Sequence, residues 1–153
     1  MRSGVRLGVD AGKARVGVSA CDRDGLLATP VVTLSRGDAT VAELRDLIAE
    51  YDAFEVVVGL PLSLQGDDTA STADARALAA ELAGTVDVPV RLVDERLSTV
   101  SAQRALHQSG RTVKSSRPMI DQVAAVIILQ NALDFERSAG RPPGTVVDQH
   151  EGR

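Results

Sequence analysis

The period of the apolar residues changes part-way along this chain, and that change limits the fold more than any other feature. Val5-Arg6-Leu7-Gly8-Val9-Asp10 and Arg15-Val16-Gly17-Val18-Ser19-Ala20 both alternate, and a third β-rich run extends from Leu26 to Leu34. The joins between them are too short for a crossover, so the three strands pair as an antiparallel meander. The period then becomes helical. Val41, Leu44, Leu47 and Ile48 share one helix face, with Asp38 or Thr40 placed to cap it. Phe54 to Leu60 is a short apolar run of the kind buried on both faces as a parallel strand, and Pro61 ends it. A helix from about Thr72 to Ala83, a strand over Val88–Val93 and a helix from Ser98 or Thr99 to about Gln108 follow. A basic loop over Gly110–Pro118 leads into a long apolar helix, Met119 to Phe135. Strands alternating with helices imply right-handed parallel crossovers. The order predicts an α/β fold with a five-stranded mixed sheet, a three-strand meander plus two parallel strands, flanked by helices.

With 153 residues the chain forms one domain. Residues 1–136 carry the fold pattern, whereas 137–153, with Gly140, Pro142, Pro143, Gly144 and Gly152, read as a flexible C-terminal tail. The length is too small for the two domains that sugar kinases and actin-like ATPases close around ATP, although the Asp10-x-Gly12 turn resembles their phosphate loop. A single Cys, Cys21, excludes an intramolecular disulfide and a Cys-based zinc site; its expected role is that of a small residue at a strand end. The longest apolar stretch, Val123–Leu129, is too short for a signal sequence or a membrane span, so a cytoplasmic protein is expected.

Three acids fall where a plain core has no use for charge. Asp10 closes the first strand, Glu95 follows the fifth, and Asp121 opens the apolar last helix. Ligands of open α/β sheets gather at the carboxyl ends of parallel strands. Three carboxylates brought together repel one another unless a cation joins them. Oxygen ligands suit Mg2+ or Mn2+, and a pair of such ions suits phosphodiester hydrolysis. Each acid also has an ordinary reading: Asp10 as a strand-end turn residue, Asp121 as a first-turn acid placed by the helix dipole, Glu95 as a surface partner of Arg91 or Arg96.

The motifs sharpen this. Gly8-Val9-Asp10-Ala11-Gly12-Lys13-Ala14-Arg15-Val16-Gly17-Val18, then Val58-Gly59-Leu60-Pro61-Leu62 with Gly66, then Val93-Asp94-Glu95-Arg96-Leu97-Ser98-Thr99, then Asp121 with Ala124-Ala125-Val126-Ile127-Ile128-Leu129 stand in that order. In this the chain resembles the Holliday-junction-resolvase-like family of bacterial proteins, also described as pre-16S rRNA nucleases. The resemblance reaches to about Phe135. It implies a ribonuclease H-like fold and a nuclease whose catalytic, metal-holding residues are Asp10, Glu95 and Asp121. It also implies maturation of the 5′ end of precursor 16S rRNA or, on an older inference for the family, resolution of four-way DNA by a dimer. Gln122 and Val123 depart from the small residues that relatives often carry beside the last acid.

Lys13 and Arg15, in the turn after Asp10, are candidates for phosphate contact, as is Arg96. So is the basic loop with Arg111, Lys114 and Arg117. Their bland readings are a solvated turn, a strand-start ion pair, a partner for Asp94 and a solvated loop. The expected partners are nucleic acid, as precursor rRNA or branched DNA, and ribosomal particles; no membrane is expected, and the chain acts as a monomer or homodimer. A binding factor that has lost activity is a further alternative. A net charge of -4, from 21 acids against 17 bases, does not exclude such substrates. Two divalent ions on three acids bring the total to about 0 and concentrate positive charge at the site. Aromatic residues at 2%, with no Trp, point to recognition of backbone and shape rather than stacked bases.

Overall fold

The computed structural model describes residues 1–63, 65–95 and 117–148, with side chains from residue 122 onward in the last stretch. The meander is β1 (Arg6–Ala11), β2 (Arg15–Cys21) and β3 (Ala28–Ser35). There follow α1 (Thr40–Tyr51), β4 (Glu55–Leu60), α2 (Ala70–Thr85), β5 (Val90–Asp94), α3 (Arg117–Ala139) and β6 (Thr145–Val146). The sheet order is β3-β2-β1-β4-β5-β6. β1 pairs antiparallel with β2 and β2 with β3, whereas β4 lies parallel between β1 and β5. This is the expected mixed sheet with one strand added.

The two faces follow from alternation along each strand. Leu7, Val9, Val16, Val18, Val56, Val58 and Val90 pack with Leu44 and Ile48 of α1 and Leu78 and Leu82 of α2. On the other face Val57 and Cys21 pack with Ile128, Leu129, Ala132 and Leu133 of α3. β4 is buried at every position, as its unbroken apolar run requires.

Several boundaries differ from expectation, each for a physical reason. β6 is only two residues long, inside the segment read as a tail, and too short to leave a period. It pairs with β5 through Arg91 and Leu92. Val147 then enters the α1/α2 core, with its N–H donating to the Val90 carbonyl at 2.8 Å. This covers the edge that β5 would otherwise expose. Neither Asp38 nor Thr40 caps α1: the N-cap position is Ala39, without a side-chain cap. The Thr40 hydroxyl instead accepts from the Gly37 N–H at 2.8 Å and donates to the Ser35 carbonyl at 3.1 Å. α3 begins at Arg117 and runs past Phe135 to Ala139, because Glu136, a charge that reads as a solvent boundary, is buried against arginines. The helix expected from Ser98 or Thr99 to Gln108 lies outside the described residues.

Candidate active site

Asp10 and Glu95 reach the same end of the sheet by different routes. Val9 pairs with Val58 in parallel register, which sets Asp10 level with Gly59. Gly59 in turn pairs with Val93, and the Glu95 N–H donates to the Leu60 carbonyl at 3.0 Å, extending that ladder. The two acids therefore sit at the carboxyl ends of β1 and β5, with β4 between them.

Both face α3. Gly8, two residues before Asp10, lies under Ala125 and Leu129 of that helix. Glu95 Oε2 lies 3.1 Å from where a Cβ on Gly59 would stand, and Ile128 Cδ1 lies 2.5 Å from it. Glycine at 59 thus leaves the volume that the Glu95 carboxylate and Ile128 share. Burial pushes the Glu95 carboxyl above the usual carboxylate range, because the charged form loses hydration there. Asp10 is half-buried and pairs across the hairpin with Gly17.

The backbone of α3 brings the third acid's turn to this place. The helix runs antiparallel to β1, with Glu136 beside Arg6 and Ala125 over Gly8. Residue 121 is one turn before Ala125, about 6 Å along the axis. Asp10 is two residues beyond Gly8, about 6.6 Å along the strand. A second contact agrees. Gln122 Nε2 donates to Thr33 Oγ1 at 3.0 Å, and Thr33 pairs with Gly17, which pairs with Asp10. The Asp121 side chain lies outside the described residues, and among those described no cluster of three metal-ligating groups occurs.

Lys13 is exposed in the turn after Asp10, and Arg15 is half-buried at the start of β2. Arg96, Arg111 and Lys114, and the side chain of Arg117, lie outside the described residues. Sequence reasoning missed three residues that hold this end together. Ser19 is fully buried and donates to the Ala125 carbonyl at 2.7 Å, fastening α3 to the sheet. Arg36 and Asp74 form a bidentate pair behind the β1–β2 turn. No motif marks any of them. The alternation of β2 does place Ser19 on the Gly17 face, which was the available signal.

Residues 4–135 match the family model described as RuvX, Holliday junction resolvase. The chain belongs to that family. Its similarity to individual members runs nearly end to end. A relative in Clavibacter michiganensis subsp. michiganensis is 57% identical, over 98% of this chain and 95% of its own. One in Streptomyces coelicolor is 55% identical over 97% and 90%, and one in Thermobifida fusca is 47% identical over 97% and 98%. All three are provisionally named pre-16S rRNA nuclease. Among solved structures, Thermus thermophilus RuvC in complex with a Holliday junction substrate superposes with a TM-score of 0.61, covering 94% of this chain and 99% of that one. At 13% identity this likeness shows the fold, which is ribonuclease H-like. RuvX membership places the chain among nucleases, enzymes that act on nucleic acid. No helix among the described residues is long and apolar enough to cross a membrane.

Proposed function

We propose that this chain is a divalent-metal-dependent nuclease that trims the 5′ end of precursor 16S rRNA in the cytoplasm, with Asp10, Glu95 and Asp121 holding one or two Mg2+ or Mn2+ ions. The observation that carries this is that Asp10 and Glu95 share one end of the sheet, with the Glu95 carboxylate beside Gly59, Asp10 level with Gly59 by strand register, and the α3 turn of residue 121 at the same height. The donor set fits such an ion. It is made of carboxylate oxygens, and Cys21 lies at the opposite end of β2, where its sulfur accepts the Arg6 N–H at 3.3 Å. The bound cation supplies Lewis acidity and an activated water for phosphodiester hydrolysis.

The protein's own residues do the rest. Burial raises the Glu95 carboxyl above its ordinary value, so a cation held there would favour its charged form. Lys13, exposed three residues beyond Asp10, contacts a substrate phosphate as a point charge, and Arg15 supports it from the strand start. Arg96, Arg111, Lys114 and Arg117 grip the flanking backbone; for these the support is the sequence alone. The provisional name of the relatives favours precursor 16S rRNA. The family description and the RuvC likeness favour the second reading, a homodimer resolving four-way DNA, since that substrate needs two sites in symmetric relation.

The test is cleavage of a precursor 16S 5′ fragment against four-way DNA, with the same ion and salt. Activity is expected to require the metal, to stop in chelator and to vanish in Asp10→Asn. Unchanged cleavage by Asp10→Asn refutes the site assignment, and preferential cutting of the DNA moves the substrate assignment to the second reading.

A further inference from the structure

Behind the β1–β2 turn lies a contact that the proposed chemistry does not use. The Arg36 guanidinium spans two elements that are distant in sequence. Its Nη1 donates to the Gly12 carbonyl at 2.9 Å and to Asp74 Oδ2 at 2.9 Å, and its Nη2 donates to Asp74 Oδ1 at 2.9 Å. The Arg36 backbone N–H also donates to the Ala14 carbonyl at 2.9 Å. The turn itself closes by a bond from the Gly12 N–H to the Arg15 carbonyl at 2.9 Å. Carbonyls on both sides of Lys13 are therefore held by Arg36, while Lys13 stays exposed.

The other end of this contact is anchored too. Asp74 lies early in α2, two residues after Thr72. Thr72 is fully buried and completes a reciprocal capping box with Thr69. Its hydroxyl also donates to the Pro61 carbonyl, at the start of the loop that follows β4. The beginning of α2 thus fixes both segments that border the carboxylate end of the sheet: the post-β4 loop through Thr72, and the β1–β2 turn through Asp74 and Arg36.

We propose that the Arg36–Asp74 pair is a positioning element for substrate binding, which holds the Gly12–Arg15 turn so that Lys13 is presented to a phosphate of the nucleic-acid backbone. This rests on the nuclease reading above. Asp10 itself is set by the sheet ladder, so the pair acts on Lys13 rather than on the acids. Removing it is expected to weaken binding and leave the chemical step alone.

Asp74→Asn gives a test of sign. If Arg36 met the substrate directly, deleting a nearby negative charge would free it and tighten binding to a polyanion. Positioning requires the opposite. In the full chain with Mg2+, Asp74→Asn and Arg36→Gln are each expected to raise KM for structured RNA about tenfold, the loss of one charge-assisted contact, with kcat held within about twofold. The logarithmic salt slope of RNA binding in EDTA should fall by about 0.7–0.9, one phosphate's worth. Asp74→Asn added to Lys13→Ala should cost nothing further. Hydrogen exchange over residues 11–16 should quicken in both variants while residues 7–9 and 56–58 keep their protection. Tighter or unchanged binding by Asp74→Asn, or unchanged exchange in the turn, overturns the proposal. A wild-type chain that cleaves neither RNA nor four-way DNA overturns the nuclease reading instead, and the positioning claim then stands or falls on the exchange of the turn.

Discussion

Gly8→Ala tests whether α3 sits on the sheet as closely as the site requires. A Cβ at position 8 would lie 2.7 Å from Leu129 Cβ, 2.8 Å from the Ala125 carbonyl oxygen, and in contact with Ser19 Oγ. Carbon–carbon contacts settle near 3.5–4.0 Å, so the deficit is on the order of 1 Å. None of these neighbours can swing aside. Leu129 Cβ and the Ala125 carbonyl move only with the helix, and Ser19 Oγ is tied to that same carbonyl at 2.7 Å. The helix must lift by about 1 Å, at an overpacking cost of about 1–3 kcal/mol. Losing the Ser19 bond adds about 1 kcal/mol. For a domain of this size the sum lowers the melting temperature by roughly 5–15 °C. The chain should still fold, since domains carry about 5–15 kcal/mol. Lifting α3 also carries the residue-121 turn away from Asp10 and Glu95. A misplacement on the order of 1 Å costs about a hundredfold in rate, so kcat should fall by that much with little change in KM. Gly37→Ala is the control: its Cβ would meet nothing within 4 Å. Thermal melts and metal-dependent cleavage read both effects. A Gly8→Ala chain that melts within about 2 °C of wild type and cleaves at the wild-type rate would refute the close-approach reasoning.

Three further outcomes follow from other contacts. Burial alone would raise the Glu136 carboxyl, but hydrogen bonds from Arg2 and the charge of Arg6 hold it at about 2, below its ordinary 4.5. A depressed carboxylate contributes stability above its unfolded pKa and loses it as pH falls through the folded one, so melting temperature should drop between about pH 4.5 and 2. Glu136→Gln, measured by melts across that range, should flatten the drop. Glu95 is perturbed upwards, which favours its neutral form in the fold. Glu95→Gln should therefore melt higher than wild type in chelator at pH 7 while losing cleavage; a lower melting temperature would contradict the burial argument. Gln122→Ala removes the 3.0 Å bond to Thr33. It should cost about 0.5–1.5 kcal/mol in urea unfolding and reduce kcat rather than raise KM.

The sheet was legible because its strands are short and their periods differ. Val5–Asp10 alternates, and Phe54–Leu60 does not; those two patterns separate a hairpin strand from a doubly buried one. The strand-end positions of Asp10 and Glu95 followed from the same reading, since position on a strand fixes both its end and its face. What stayed hidden depends on partners far away in the chain. Nothing local to Glu136 says that Arg2 and Arg6 will meet it, so the helix seemed to end one turn early. Thr145–Val146 is too short for any period, and its pairing is decided by the open edge of β5. Arg36 and Asp74 are ordinary surface residues until folding brings them together behind the β1–β2 turn. The capping of α1 failed for a related reason: the Thr40 hydroxyl is taken up by Gly37 and Ser35.

Three acids show how one composition covers two kinds of charge. At the amino end of the parallel strands, Glu55 and Glu136 are almost fully buried and meet Arg2, Arg6 and Arg91 at 2.7–3.2 Å. There the protein itself supplies the counter-charge, and the carboxyl of Glu136 is pushed down. At the carboxyl end Glu95 is pushed up by the same burial. The opposite directions separate an acid whose charge arginines stabilise from one whose charged form burial disfavours. α3 joins the two ends. Its last turns are clamped by two arginines at Glu136, and Ser19 holds its middle. A wedge at Gly8 therefore cannot shift the helix as a rigid rod. The clamped end resists, and the displacement goes towards the turn of residues 121–122, where Gln122 is tied to Thr33. That is why the same methyl group is expected to cost turnover as well as stability.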